Sequence, residues 1–424
     1  WIISNQALEV CMVVVESPKG HSKSPRSNTS AKRRLGLAAL VVGLVTGSAG
    51  LQMANAAPAG GQVTSGVGSI NQIGNTTTIN QSTQNLSLNW KSFHVGTSET
   101  VNFVQPSANA IAVNRIFDTN GSQILGNLNA NGQVFLINPN GVIFGAGAQV
   151  NVGGLVASTL DTLSSTGSTT SFVGAGTGSV INLGKITATN GGYVALLGNH
   201  VSNQGVISAQ RGTVGLGAGS AVTLSFNGSS MLHMVVDQSK LNSLAENGGL
   251  VQADAGQVLM TAGAANSLLA SVVNNTGVIE ARTVNQQGGT ITLLGGMQNG
   301  TVNVAGTLDA SASNGGFIET SAAHVQVASG AKTTTAADTG VAGTWLIDPT
   351  DFTISAGTGG STTSSIGALT LGTSLGSGNV VISTSVSGSD PGDINVNAAF
   401  SWSANTLTLN AQNNININAN LNGS

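Results

Sequence analysis

A short pattern returns four times between residues 184 and 320: GKITA at Gly184, GVISA at Gly205, GVIEA at Gly277 and GTLDA at Gly306. Each copy is followed by a glycine-containing turn and a second alternating run: YVALL at Tyr193, TVGL at Thr213, TITLL at Thr290 and FIET at Phe317. The template is G-x-I/L-x-A, turn, strand. Starts fall 21 residues apart for the first pair and 29 for the last. Imperfect repeats of this length, built from short alternating segments, predict a solenoid whose units bury their apolar faces on one another. Helical solenoids are excluded. No window places apolar residues at i, i+3, i+4 and i+7 over three turns, and glycine interrupts every few residues. A propeller needs blades of about 40 residues with an aromatic signature, and the chain has four Trp. A parallel β-helix remains, with inward Val, Ile, Leu and Ala, and with Asn at turns free to stack in hydrogen-bonded ladders. At about 22 residues per coil, the 368 residues after position 56 predict 16–17 rungs.

Charge is scarce, at 7% Asp, Glu, Lys and Arg, so the surface must be built from Asn, Gln, Ser and Thr. Six basic residues, Lys19, Lys23, Arg26, Lys32, Arg33 and Arg34, lie before an apolar run at Leu35–Val45. Small residues and Ala54-Asn55-Ala56 follow. Basic stretch, short apolar run and A-x-A site are those of a secretory signal peptide, with cleavage between Ala56 and Ala57. The run is too short for a membrane span. A separate block, residues 1–16, precedes it and makes the expected signal unusually long; this block carries Cys11, the one cysteine. From residue 57 onward there are seven basic and fourteen acidic residues, net −7, with no basic stripe for nucleic acid.

Val134–Ile137, then Asn138-Pro139-Asn140-Gly141, then Val142–Phe144 reads as strand, turn, strand. Pro presets φ at the second turn position and Gly supplies a positive φ. Carboxylate pairs that a polysaccharide-degrading enzyme would need occur at Asp348/Asp351 and Asp390/Asp393, inside Asp-Pro-Thr-Asp and Asp-Pro-Gly-Asp, which are turn sequences. His94, His200, His233 and His324 show no metal-ligand spacing. The expectation is no enzyme, no metal and no cofactor.

Six ordered motifs carry a resemblance: NWKSFHVG from Asn89, VNFVQP from Val101, AVNRI from Ala112, LNANG from Leu128, LINPNGVIFG from Leu136 and VGGLVAST from Val152. Over residues 61–161 the chain resembles the two-partner secretion, or haemagglutination-activity, domain of filamentous-haemagglutinin-like exoproteins, nearest the high-molecular-weight-adhesin subtype. The separate N-P-N-L motif of filamentous haemagglutinin itself is absent, so the additional subdomain of the filamentous-haemagglutinin subtype is not expected. The resemblance implies an all-β fold: a right-handed, single-stranded parallel β-helix of pectin-lyase-like type with an N-terminal cap. It implies segments 1–56 (extended signal), 57–320 (secretion domain and first coils) and 321–424 (continuing passenger of a longer protein). It implies export from a Gram-negative cell, through the periplasm, by an outer-membrane β-barrel transporter with periplasmic peptide-binding domains, and folding outside at the cell surface. It implies an adhesin, with host-cell glycans or receptors as partners; a haemolysin or contact-dependent toxin is the alternative. Asn138, Pro139, Asn140 and Gly141 are then the secretion or turn motif. Trp90, Phe93, Asn114 and Arg115 are a cap or a partner contact.

Overall fold

The computed structural model describes residues 57–282, 288–387 and 390–424, and two short strands before them. Those two, Ile2–Asn5 and Val10–Val13, pair antiparallel within a unit of their own, Trp1–Gln52. The basic stretch, the apolar run and Ala56 lie outside the described residues.

From Ala57 on the chain is a parallel β-helix with three stacks of strands. One stack aligns Thr77, Val101, Leu128, Val150, Ile186, Ile207, Val251, Ile279, Leu308 and Thr333 on successive coils. A second aligns Leu86, Ala112, Val134, Leu155, Val194, Val214, Val258, Ile291, Ile318, Trp345, Val380 and Leu407. The third is a separate 12-stranded sheet running from Ser122–Ile124 to Ile415–Ile417. Inward side chains of all three form one continuous core. Each buried aliphatic residue contributes about 1.5–3 kcal/mol before the ordering cost.

The repeat template now has a physical meaning. Its Ile or Leu points into the core from the first stack, and its Ala fills the corner behind. Its opening glycines stack on one another. A Cβ on Gly205, Gly249, Gly277 or Gly306 would strike the carbonyl of the glycine one coil earlier: Gly184, Gly205, Gly249 or Gly277.

Coils are longer than expected. The second stack holds twelve rungs from Leu86 to Leu407, not 16–17, because several coils carry excursions. Two of these are hairpins, Thr162–Thr166 with Thr169–Val173, and Ala221–Asn227 with Ser230–Gln238, which join into a four-stranded antiparallel sheet outside the helix. No such sheet was expected. Its apolar face covers the outward side chains Phe135, Ile137, Val156, Ala195 and Leu197 of the second stack, with Phe172, Val222, Leu224, Met231 and Met234. A third excursion is the helix Ala368–Leu375, which buries Ala368, Leu371 and Leu375. The expected boundary at 320/321 falls inside strand Phe317–Ser321, and the ladder continues across it to Thr344–Asp348.

Tyr193 locks the outer sheet to the coils. Gln133, Gly154 and Tyr193 occupy one register position on three successive rungs. The Tyr193 ring lies over Gly154, where a Cβ would meet Cε1 at 2.6 Å, and its hydroxyl donates to Gln133 Oε1 at 2.6 Å. Burial holds that phenol well above its ordinary pKa. Gly154→Val is therefore expected to cost about 1–3 kcal/mol by overpacking. Tyr193→Phe should cost about 1–2 kcal/mol by orphaning the Gln133 carbonyl. Urea unfolding followed by tryptophan fluorescence reads both; a neutral Gly154→Val would refute this packing.

Candidate functional site

The resembling motifs converge on the first four coils. Two antiparallel hairpin partners, Gln62–Ser65 against Asn85–Trp90 and Gly68–Ile73 against Thr76–Gln81, cover the N-terminal end. Such an end must be covered, or the first coil would expose its core. Ala57 opens this run of described residues, and Ala59 pairs with Ser92: the Ala59 amide donates to Ser92 O at 2.9 Å, and the Lys91 amide to Ala59 O at 3.0 Å.

Trp90 and Phe93 are buried beneath that cap, edge to face, with centroids 5.2 Å apart. Trp90 Nε1 donates to Asn114 Oδ1 at 2.9 Å. Asn114 Nδ2 donates to Ala112 O at 3.1 Å and Phe135 O at 3.2 Å, so this fully buried amide is satisfied on both sides. Asn114 stands between two leucines, Leu88 and Leu136, on the neighbouring rungs. The tryptophan and the asparagine thus explain each other: they cross-link two of the motifs through the core. Arg115 does something else. Its guanidinium faces outward and donates to Asp161 O at 2.7 Å, at the root of the first outer hairpin.

The turn at 138–141 closes as expected. Asn138 Oδ1 accepts the Asn140 amide at 3.0 Å, and the Gly141 amide donates to Asn138 O at 3.0 Å. Gly141 has φ 117°. Sequence reading did not reach the coil-to-coil contacts. Asn138 Nδ2 donates to Asn120 O at 3.1 Å and Ser122 Oγ at 3.0 Å, and Asn138 is fully buried. Asn140 is exposed and Pro139 partly so. Asn140 Nδ2 reaches Asp118 O at 2.7 Å.

Asp118 joins this turn to the tryptophan motif. Its Oδ2 lies 3.0 Å from His94 Nε2, and His94 Nδ1 accepts the Gln123 amide at 3.2 Å. Burial opposes the charge on Asp118, yet the Asn120 amide and His94 outweigh it and hold the carboxyl below its usual range. His94 was read in the sequence only as lacking metal spacing; its partner Asp118 is 24 residues away, one coil on.

Three of the paired carboxylates, Asp351, Asp390 and Asp393, sit elsewhere, between strands; Asp348, expected in a turn, instead ends strand Thr344–Asp348 and stands on the second stack beside Ser321. Asp351 Oδ1 accepts the amides of Gly392 and Asp393, each at 2.8 Å. Asp393 Oδ1 accepts the Asn414 amide and Asn413 Nδ2, each at 2.9 Å. Asp390 Oδ2 accepts the Thr350 hydroxyl at 2.8 Å. Asp351, Asp393 and Asp390 each hold a neighbouring loop. Among the described residues, no group of three or more His, Cys, Asp or Glu is placed to hold a metal.

Comparison with known proteins bears on the same coils. Residues 54–310 match the TPS secretion domain family. Over 253 residues, 56% of this chain, it is 36% identical to the heme/hemopexin-binding protein of Haemophilus influenzae, covering 27% of that protein. A second Haemophilus influenzae protein of the same name is 50% identical over 84 residues, 20% of this chain and 9% of its own length. The crystal structure of the HMW1 secretion domain from Haemophilus influenzae superposes with a TM-score of 0.58 at 22% identity, covering 87% of this chain and 100% of that one. The likeness to HMW1 is one of fold.

Proposed function

The chain belongs to the TPS (two-partner secretion) secretion domain family, and from that premise we propose that residues 61–161 are the part its outer-membrane transporter recognises. The chain would reach the periplasm behind a signal ending at Ala56, be taken unfolded by the periplasmic domains of the barrel, and wind into its β-helix outside. The observation that carries this reading is the cross-linking of the shared motifs into one capped N-terminal block, directly from Trp90 to Asn114 and through the segment between motifs from Asn138 to Ser122 and His94 to Asp118. Such a block can fold first, once outside, and present an edge on which each following coil is laid. Folding on the far side then opposes return. Few charges and no cysteine after residue 56 suit passage through a pore.

For the exported protein as a whole, binding of heme or hemopexin is favoured over adhesion to host glycans, because both matched relatives carry that name. The chain spans 27% of the longer match, so the cargo reading rests on the relatives' names alone. A catalytic role is not proposed: the carboxylates of Asp351, Asp390 and Asp393 already serve loop closure.

Residues 1–320 fused to a reporter without an export signal of its own are expected in the medium only when the transporter is co-expressed. The secreted form should begin at or near Ala57 on N-terminal sequencing. Export without the transporter, or retention of residues 1–56, would overturn the proposal. Binding of the full exoprotein to hemin-agarose, against binding to epithelial cells, separates the two cargo readings.

A further inference from the structure

The outer four-stranded sheet stops partway along the solenoid, and beneath its last strand a groove of about 310 Å³ opens. Strand Ser230–Gln238 forms one wall, through Met234 and Val236; Met297 stands on the other side. The floor is the outward face of the second stack, where Thr261, Leu294, Ser321 and Asp348 occupy one register position on four consecutive rungs. Glu319 lies beside them and accepts the Ser321 hydroxyl at 2.9 Å. The far end of the floor therefore carries two carboxylates, Glu319 and Asp348. Among the described residues neither makes an ion pair with Lys, Arg or His. Burial and then the charge of Glu319 push the Asp348 carboxyl up, as expected where negative charge lacks a counterpart.

The wall adds a second requirement. Ser230–Gln238 is the edge of its sheet: it pairs with Ala221–Asn227 on one side and with no described strand on the other. At its start the Met231 and Leu232 carbonyls are taken by the side chains of Thr213 and Gln257, at 2.6 and 2.8 Å. Further along, where Met234 and Val236 line the groove, the edge faces the open space. An unpaired edge accepts an extended chain by hydrogen bonding, and flanking pockets choose its alternate side chains. The outer strand runs along the coil strand beneath it, Met231 at Thr213, Met234 at Gly217 and Val236 at Gly219, so a strand added to its edge would lie along the rungs and cross the Thr261–Asp348 column. Methionine walls adapt to varied apolar side chains.

We propose that this groove binds an extended peptide segment of alternating apolar and basic residues. Apolar side chains lie against Met234, Leu294 and Met297; a Lys or Arg reaches Glu319 and Asp348; the peptide backbone adds to the open edge. A small cation would use the carboxylates but leave the edge and methionines idle, and an acidic strand would meet two like charges.

Fluorescence anisotropy of the exported protein with a labelled (Val-Lys)₃ peptide tests this. Saturable binding is expected, weakened about tenfold or more by Glu319→Gln with Asp348→Asn, in keeping with loss of charge-assisted contacts. A (Val-Glu)₃ peptide should not bind. An analogue N-methylated on alternate amides should lose most affinity, because it cannot pair with the edge. Removing two mutually repelling carboxylates should leave circular dichroism and thermal unfolding unchanged, which excludes misfolding as the cause of lost binding. Absence of binding by (Val-Lys)₃ overturns the proposal, as does equal binding of the acidic peptide or indifference to the double substitution. Undiminished binding of the N-methylated analogue, with full competition by spermidine, would make the groove a small-cation site and would also overturn it.

Discussion

Asn247→Ala is expected to destabilise the solenoid by about 2–5 kcal/mol, the largest single-residue effect in the central coils. Asn182, Asn203, Asn247 and Asn275 occupy one register position in the third stack and are fully buried. Each side-chain amide donates to the next side-chain carbonyl at 2.8 Å: Asn182 to Asn203, Asn203 to Asn247, Asn247 to Asn275. The column is closed at its ends. Asn182 Oδ1 accepts the Gly184 amide at 3.1 Å, and Asn275 Nδ2 points at the carbonyls of Gly277 and Thr307, at 3.4 Å each. Phe144 and Val304 continue the same register position beyond the two ends. Alanine at 247 leaves the Asn203 N–H and the Asn275 carbonyl without partners in a dry interior, at about 1–3 kcal/mol each, and opens a small cavity besides.

Removing both sides of a contact costs less than the two single losses together, so Asn203→Ala with Asn247→Ala should be clearly less than additive. Urea unfolding of the four proteins measures this, with limited proteolysis to locate the opened coils, since neighbouring coils of a solenoid can unfold in part. A cost below about 1 kcal/mol for Asn247→Ala would mean that water reaches the column and that the ladder is not a dry one. The column also fixes alignment. An apolar rung tolerates sliding, but an amide rung offset by one residue loses its partners above and below. Coils laid down one after another are thereby held in step.

That column was legible in the sequence and only half read. Asn was expected to stack at turns, yet the signal is sharper. Three of the four precede a template glycine by two residues, Asn182 and Gly184, Asn203 and Gly205, Asn275 and Gly277, and Asn247 stands in the same place before Gly249, which opens the variant GLVQA. The outer sheet was harder to foresee. Thr169–Val173 and Ala221–Asn227 alternate with the same period of two as the coil strands, and period alone does not distinguish a parallel neighbour one coil away from an antiparallel one in a hairpin. The sign of it lay in the strand it covers. Val134-Phe135-Leu136-Ile137 is apolar without alternation, which a strand facing solvent on one side would not be. Inserted hairpins also stretched the coils, which is why a count at about 22 residues per coil overshot twelve rungs. Trp90 with Asn114 could be placed only through the resemblance, because nothing in their separation says that they face each other across the core.

Exchanging Asn138 for Ala together with Gly141 for Val is expected to cut secretion about tenfold or more, through a failure to fold outside rather than a lost address. Asn138 is fully buried, and Gly141 is buried at φ 117°, where a Cβ is strained and would also approach Ser179 O at 3.1 Å. The pair removes two donors to the previous coil and the acceptor that closes the turn. The strands on either side, Gln133–Ile137 and Val142–Phe144, then lose their fixed offset, and a slip of one residue would turn their apolar faces outward. Only Pro139 and Asn140 are accessible for a partner to touch. Asn140→Ser should therefore leave secretion within about twofold, since it spares the buried closure and gives up one exposed hydrogen bond. A matched fault far from the cap is the control. Gly289→Ala drives a Cβ into the Ala281 carbonyl, as severe a local clash, but after the N-terminal block has formed. It should lower the protease resistance of the secreted product and spare its export. Immunoblots of medium and cells, normalised to synthesis, read all three. Equal loss of export from Gly289→Ala would mean that the whole solenoid, not its first coils, drives passage. A large loss from Asn140→Ser would mean that the transporter reads the turn itself.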